Sequence, residues 1–168
     1  FPGTTRYEGD IREVSVERAL DLSGLNVGEL DLLDGSPPCQ GFSSAGKRRL
    51  DDWRNGLFEE YTRLLKGLKP KAFIMENVSG LIKGKMRLVF AEITSNLKRA
   101  GYLVSCRLLN ARWYGVPQDR QRLIWVGIRN DLYIPPSHPE PISRRAISVA
   151  VALGLQGNIA QVIERHQP

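Results

Sequence analysis

The sequence predicts an α/β fold in which strands and helices alternate and the last two strands form an antiparallel pair. Three observations carry this. Leu30 to Leu33 is an apolar run broken by the turn residues Asp34-Gly-Ser-Pro-Pro38. Ala72 to Val78 is a second apolar run, preceded by residues at helical spacing. Leu123 to Ile128 is a third, β-branched and apolar, which suits a strand buried on both faces.

The elements follow in order. Leu30 to Leu33 is the first strand. Leu57, Phe58, Tyr61, Leu64, Leu65 and Leu68 form one stripe of a helix. That helix opens after the turn signal Asn55-Gly56 and ends before Pro70. Ala72 to Glu76 is the next strand. Phe90, Ile93 and Leu97, with Met86 and Val89 beside them, mark a second helix stopped by Gly101. Tyr102, Val104, Cys106 and Leu108 alternate with Leu103, Ser105, Arg107 and Leu109, as in a strand. Leu123 to Ile128 closes the series. Pro135, Pro136, Pro139 and Pro141 then read as a linker, followed by a short segment from Ala146 to Leu155. The expected division is therefore a core at 1–134 and a second region at 135–168.

At 168 residues there is room for one domain and its core. The net charge of +6 suits a polyanionic partner. Two cysteines exclude a disulfide-dense secreted scaffold. No signal peptide, lipidation motif or long apolar stretch is visible, so a cytoplasmic setting is expected and a membrane partner is not. His138 and His166 have no partners at ligand spacing, so no metal site is expected.

Chemistry-bearing residues gather at three places. Cys39 follows the first strand, in Pro37-Pro-Cys-Gln-Gly-Phe-Ser43. That is where open α/β sheets place reacting groups. Glu76-Asn77 ends the second strand. Gln118-Asp-Arg-Gln-Arg122 precedes the last. In this order the blocks resemble the DNA cytosine-5 methyltransferases. Gly9-Asp10-Ile11 matches an earlier block of that family, and Asn110 to Pro117 matches the segment leading into the arginines. The resemblance covers residues 9 to 132.

It implies a Rossmann-like, S-adenosylmethionine-dependent methyltransferase sheet and methyl transfer to C5 of a flipped-out cytosine in double-stranded DNA. Cys39 would be the nucleophile, adding to C6 as a thiolate. Glu76 would contact cytosine N3 and the exocyclic amine. One of Arg120 and Arg122, by preference Arg122, would hold O2, and the other would support the site; Gln118 would buttress them. Asp10 would accept a hydrogen bond from the cofactor's adenine amino group, with Ile11 and Pro37 beside it. Asn77 would orient a loop through side-chain-to-backbone hydrogen bonds. Gln40 and Ser43 would lie on the DNA side. The stretch Ser43 to Arg54, with Lys47, Arg48, Arg49 and Trp53, resembles a loop that closes over DNA, its cations meeting phosphates. Cys106, on the apolar face of its strand, reads as core.

The family's glycine-rich cofactor block would precede Phe1, and most of its target-recognition region would follow Pro168. The expectation is a partial chain, with a second chain as a possible source of those parts. The implied setting is bacterial or phage-like, in restriction-modification, near the nucleoid. The alternative reading is a DNA-binding or partner-binding fragment or subunit without turnover. A third, a cysteine hydrolase or thiol redox protein, is weakest: no histidine is placed to pair with Cys39 and no Cys-x-x-Cys occurs.

Overall fold

The computed structural model describes residues 3–38, 56–143, 145 and 147–154. Among these residues, helices and strands follow one another as α1 (Val16–Ser23), β1 (Leu32–Gly35), α2 (Leu57–Leu68), β2 (Ala72–Val78), α3 (Met86–Arg99), β3 (Tyr102–Asn110), β4 (Gln121–Arg129) and α4 (Val149–Ala152). The strands form one sheet in the order β1-β2-β4-β3. The α/β class and the terminal antiparallel pair are as the sequence predicts.

β1 and β2 run parallel, with Leu32 opposite Ala72 and Gly35 opposite Met75. β3 and β4 run antiparallel. The Ala111 N–H donates to Arg120 O at one end of the pair, and the Asn130 N–H donates to Gly101 O at the other. The Arg129 N–H bonds Lys71 O, which sets the end of β4 beside the start of β2. The last strand therefore inserts between two earlier ones.

Two strand limits differ from the sequence reading. β1 lies two residues later than Leu30–Leu33, because its pairing with β2 carries Asp34 and Gly35 into the strand. Gly35 is needed there: a Cβ on it would stand 2.6 Å from the ring of Tyr61. β4 begins at Gln121, two residues ahead of the expected Leu123, so Arg122 lies inside the strand and Arg120 just before it.

α1 has no counterpart in the sequence reading. Its signals are local: the Ser15 hydroxyl caps it by accepting from the Arg18 N–H at 3.0 Å, and Gly24 ends it with φ 68°. It packs closely on α2, where a Cβ at Gly67 would meet Val16 at 2.2 Å.

Helices α2 and α3 supply Tyr61, Leu65, Ile93 and Leu97 to a core shared with Phe73, Met75, Tyr102, Leu123 and Trp125. Phe73 makes edge contacts with Tyr61 and Tyr102, at centroid separations of 6.3 and 5.2 Å. Trp125 is fully buried, and its indole N–H donates to the Thr94 hydroxyl at 3.1 Å.

The chain divides into two compact units: Phe1–Leu108 with Leu123–His138, and Leu109–Arg122 with Pro139–Pro168. The division falls after His138 rather than at 134, and the segment ahead of β4 goes with the C-terminal part. Its reason is visible in the hydrogen bonds. The Ile142 and Ser143 N–H groups both donate to Trp113 O, and the Tyr114 hydroxyl donates to Pro139 O.

Candidate active site

In the first unit, the carboxyl end of β1 opens into a cavity of about 250 Å³. Its walls come from three places: Ile11, the stretch Leu33 to Pro38, and Leu57, Tyr61 and Leu64 of α2. The lining is largely apolar, and its size suits one flat ring system rather than a whole dinucleotide. Tyr61 also braces the strands beneath. Its hydroxyl donates to Ile74 O at 3.1 Å and lies 3.4 Å from Leu33 O.

Ile11 is held at this cavity by a short 3₁₀ turn, Ile11–Glu13. Asp10 caps the turn, its carboxylate accepting from the Arg12 N–H at 3.0 Å. The same carboxylate takes the Arg12 side chain in a fork, with Nε 2.9 and 3.0 Å from its two oxygens. These hydrogen bonds to Arg12 hold the Asp10 carboxyl at about 2. From α2, Arg63 reaches back to this segment. Its guanidinium donates to Val14 O at 2.8 Å and Ile11 O at 3.3 Å, while Nε bonds Glu60 at 2.7 Å. Asp10 does not line the cavity; Ile11 and Pro37 do.

Asn77 ties two strand ends together. It is buried, on the face of β2 that carries Phe73 and Met75. Its amide donates to Pro37 O at 3.0 Å and accepts from the Val78 N–H at 2.9 Å. Glu76 alternates to the other face, half-buried, with Ala72 and Ile74. Pro37, at the cavity wall, is thus fastened to the residue beside Glu76.

Gln118, Arg120 and Arg122 belong to the second unit. Gln118 and Arg120 are exposed. Arg122 is half-buried, and its guanidinium donates to Gln121 O at 2.8 Å. Cys39, Gln40, Ser43, Lys47, Arg48, Arg49 and Trp53 lie outside the described residues.

The other cysteine packs against the core, and burial pushes the Cys106 thiol up to about 12. That suits a packing role and not a nucleophile. The His138 ring is buried, with Nε2 3.2 Å from the Ser105 hydroxyl. Burial first, and the Arg107 charge second, lower its pKa. Among the described residues no helix is long and apolar enough to cross a membrane. No group of three or more His, Cys, Asp or Glu is placed to hold a metal ion among them.

The sequence reading missed the α2 wall of the cavity. Leu57, Tyr61 and Leu64 sit on the apolar stripe, but periodicity alone does not tell a cavity wall from a packed core.

Among solved structures, the fold is similar to a crystal structure described as a DNA modification methyltransferase encoded within an E. coli prophage. The TM-score is 0.68 and the identity 27%, covering 86% of this chain and 40% of that one. Sheet order, strand directions and cavity position define a Rossmann-like methyltransferase fold.

Two curated relatives are closer in sequence. The type II methyltransferase M.XorII of Xanthomonas oryzae pv. oryzae is 40% identical over 153 residues, covering 90% of this chain and 36% of the relative. The type II methyltransferase M1.HphI of Haemophilus parahaemolyticus is 39% identical over 157 residues, covering 92% and 41%. The sequence model of the C-5 cytosine-specific DNA methylases matches residues 3–165. The chain belongs to that family. It spans about two fifths of the length of these two relatives.

Proposed function

We propose that this chain carries the nucleophile and the base-holding groups of a DNA cytosine-5 methyltransferase. The supporting observation is the family match over residues 3–165, within which Pro-Cys-Gln, Glu-Asn-Val and Gln-x-Arg-x-Arg stand in order.

C5 of cytosine is a poor nucleophile. The Cys39 thiolate adds to C6, which makes C5 enamine-like and able to accept a methyl group. Glu76 hydrogen-bonds N3 and the exocyclic amine, drawing charge from the ring as the sulfur adds. Arg122 holds O2, and Arg120 supports the geometry. Once C5 is methylated, loss of its proton lets the C6–S bond break and returns the thiolate. Gln40, Ser43, Asn77 and Gln118 stand on the DNA side of this scheme, and Lys47, Arg48 and Arg49 meet phosphates.

S-adenosyl-L-methionine supplies the methyl group. The cavity at the end of β1 fits its adenine ring: Ile11 and Pro37 form apolar walls, and Leu57, Tyr61 and Leu64 complete them. Asp10 stands outside the cavity lining but directly before Ile11, and its carboxylate, kept ionised by Arg12, has lone pairs left for the adenine amino group.

The test is mechanism-based trapping with the full-length protein. Duplex DNA carrying 5-fluorocytosine at the target has no proton to lose at C5, so a covalent protein–DNA adduct accumulates. Cys39→Ser is expected to abolish it. An undiminished adduct in that variant would refute the assignment.

A further inference from the structure

We infer that Asp119 is a positioning residue for the arginine block, acting through Asn110 and Arg112. This rests on the proposed role of Arg120 and Arg122, and all of the contacts behind it lie within the second unit.

The segment from Asn110 to Arg120 leaves β3, turns through Gly115, and returns to β4. Two neighbouring fastenings close it. One is main-chain: the Ala111 N–H donates to Arg120 O at 3.0 Å. The other is made by side chains one residue earlier on each arm, where Asn110 Nδ2 donates to Asp119 Oδ1 at 2.6 Å. The Asn110 amide is itself oriented, because its oxygen accepts from the Arg112 N–H at 3.2 Å. That leaves the nitrogen aimed at Asp119.

The second Asp119 oxygen meets Arg112 Nη1 at 3.4 Å. The Arg112 guanidinium stands 4.5 Å from the centre of the Trp113 ring. Asp119 thus gathers an amide and a guanidinium from the outgoing arm onto the residue directly before Arg120. Arg120 itself has no side-chain hydrogen bond or ion pair among the described residues. The placement of its guanidinium therefore depends on how firmly its backbone is held. Asp119 and Arg112 are both partly exposed, with side chains 66% and 35% accessible. An exposed pair of this kind contributes little to stability. Its value lies in fixing where the next residue points.

The experiment measures steady-state methyl transfer and Tm for the full-length wild type, Asp119→Ala, Asp119→Asn and Arg122→Ala. Misplacing a substrate-holding group costs up to roughly a hundredfold in rate. Asp119→Ala is expected to lose roughly tenfold to a hundredfold in kcat. Its KM for S-adenosylmethionine should stay within about twofold, because the cofactor residues lie in the other unit. Asp119→Asn keeps an oxygen for Asn110 Nδ2 and is expected to restore most of kcat. A merely structural role would not produce this split and rescue. If Asp119→Ala does not fold, Asn110→Ala removes the same bond from its other end and should show the same fall.

An unchanged kcat in Asp119→Ala, or in Asn110→Ala where that replaces it, overturns the inference. So does an Asp119→Asn variant as slow as the alanine. If Arg122→Ala is inactive in the same series, the functional reading survives that result. Absence of methyl transfer by the wild type overturns both.

Discussion

The cavity wall at the end of β1 and the arginine loop are held by different forces. The wall rests on packed rings and aliphatic groups: Tyr61 against Gly35, Leu65 and Phe73 beneath, with polar ties from Asn77 and Arg63 at the edges. The arginine loop rests on polar contacts among partly exposed side chains, Asn110, Arg112 and Asp119. Burial is strong and unselective, whereas exposed polar contacts are weak but directional. The first arrangement suits a cavity whose shape must persist. The second suits cations aimed as the proposed function requires, at little cost in stability. Substitutions should therefore separate: damage to the wall appears in folding, and damage to the loop appears in rate.

The sharpest test of that contrast is Leu65→Ala. Leu65 is fully buried beneath the wall. Truncation should cost about 2–5 kcal/mol, read as a fall in the urea midpoint. A loss below about 1 kcal/mol would mean that packing does not hold the wall.

A smaller effect is expected from Gly35→Ala. The added carbon would stand 2.6 Å from the Tyr61 ring, whose hydroxyl donates to Ile74 O and lies close to Leu33 O, leaving the ring little room to retreat. The expected cost is about 1–3 kcal/mol. A neutral result by denaturant titration would show that the ring yields freely and that the cavity wall is softer than argued.

On the loop, Asp119→Ala should lower stability by less than about 1 kcal/mol despite its effect on rate. A drop as large as that of Leu65→Ala would erase the difference between the two regions.

The last effect is visible only in a titration. Asp10 ionises at about 2 rather than the ordinary 3.8, because Arg12 hydrogen-bonds its charged form. A carboxyl with a lower value in the folded state favours the fold when ionised. That contribution is complete above about pH 3.8 and drains away as the pH falls through 2. Carbon-detected NMR of Asp10 should show this value, and Arg12→Gln should return it toward 3.8. No movement would mean that Arg12 does not hold the carboxylate.

Much of the sheet was legible because its signals are local. Ala72 to Val78 is apolar with turn residues around it, and α2 and α3 show their stripes. α1 was equally legible at Ser15 and Gly24, but it is only eight residues long and buries none of them. The start of β1 was misplaced because pairing with β2, not composition, decides it. The grouping of residues 109–122 with the C-terminal part depends on Trp113 meeting Ile142 and Ser143, which no local pattern announces. Asp10 and Ile11 were singled out through the family resemblance. The residues that support them, Arg12 and Arg63, carry no motif and emerge only from geometry. Asp119 was passed over for the same reason, standing unremarked between Gln118 and Arg120.

The insertion of β4 between β2 and β3 has a consequence for how the chain folds as it is made. Among the described residues β3 neighbours β4 alone in the sheet, so it has no partner there when it leaves the ribosome. β2 waits as well, its second edge open until the same strand arrives. The β1–α2–β2 unit can close early through the parallel pairing. Everything from α3 onward must be held ready until Gln121–Arg129 has been synthesised. Late closure leaves two strand edges exposed to other nascent chains during that interval. Translation pausing before residues 121–129 have left the ribosome should therefore favour aggregation, and pausing after they have emerged should not.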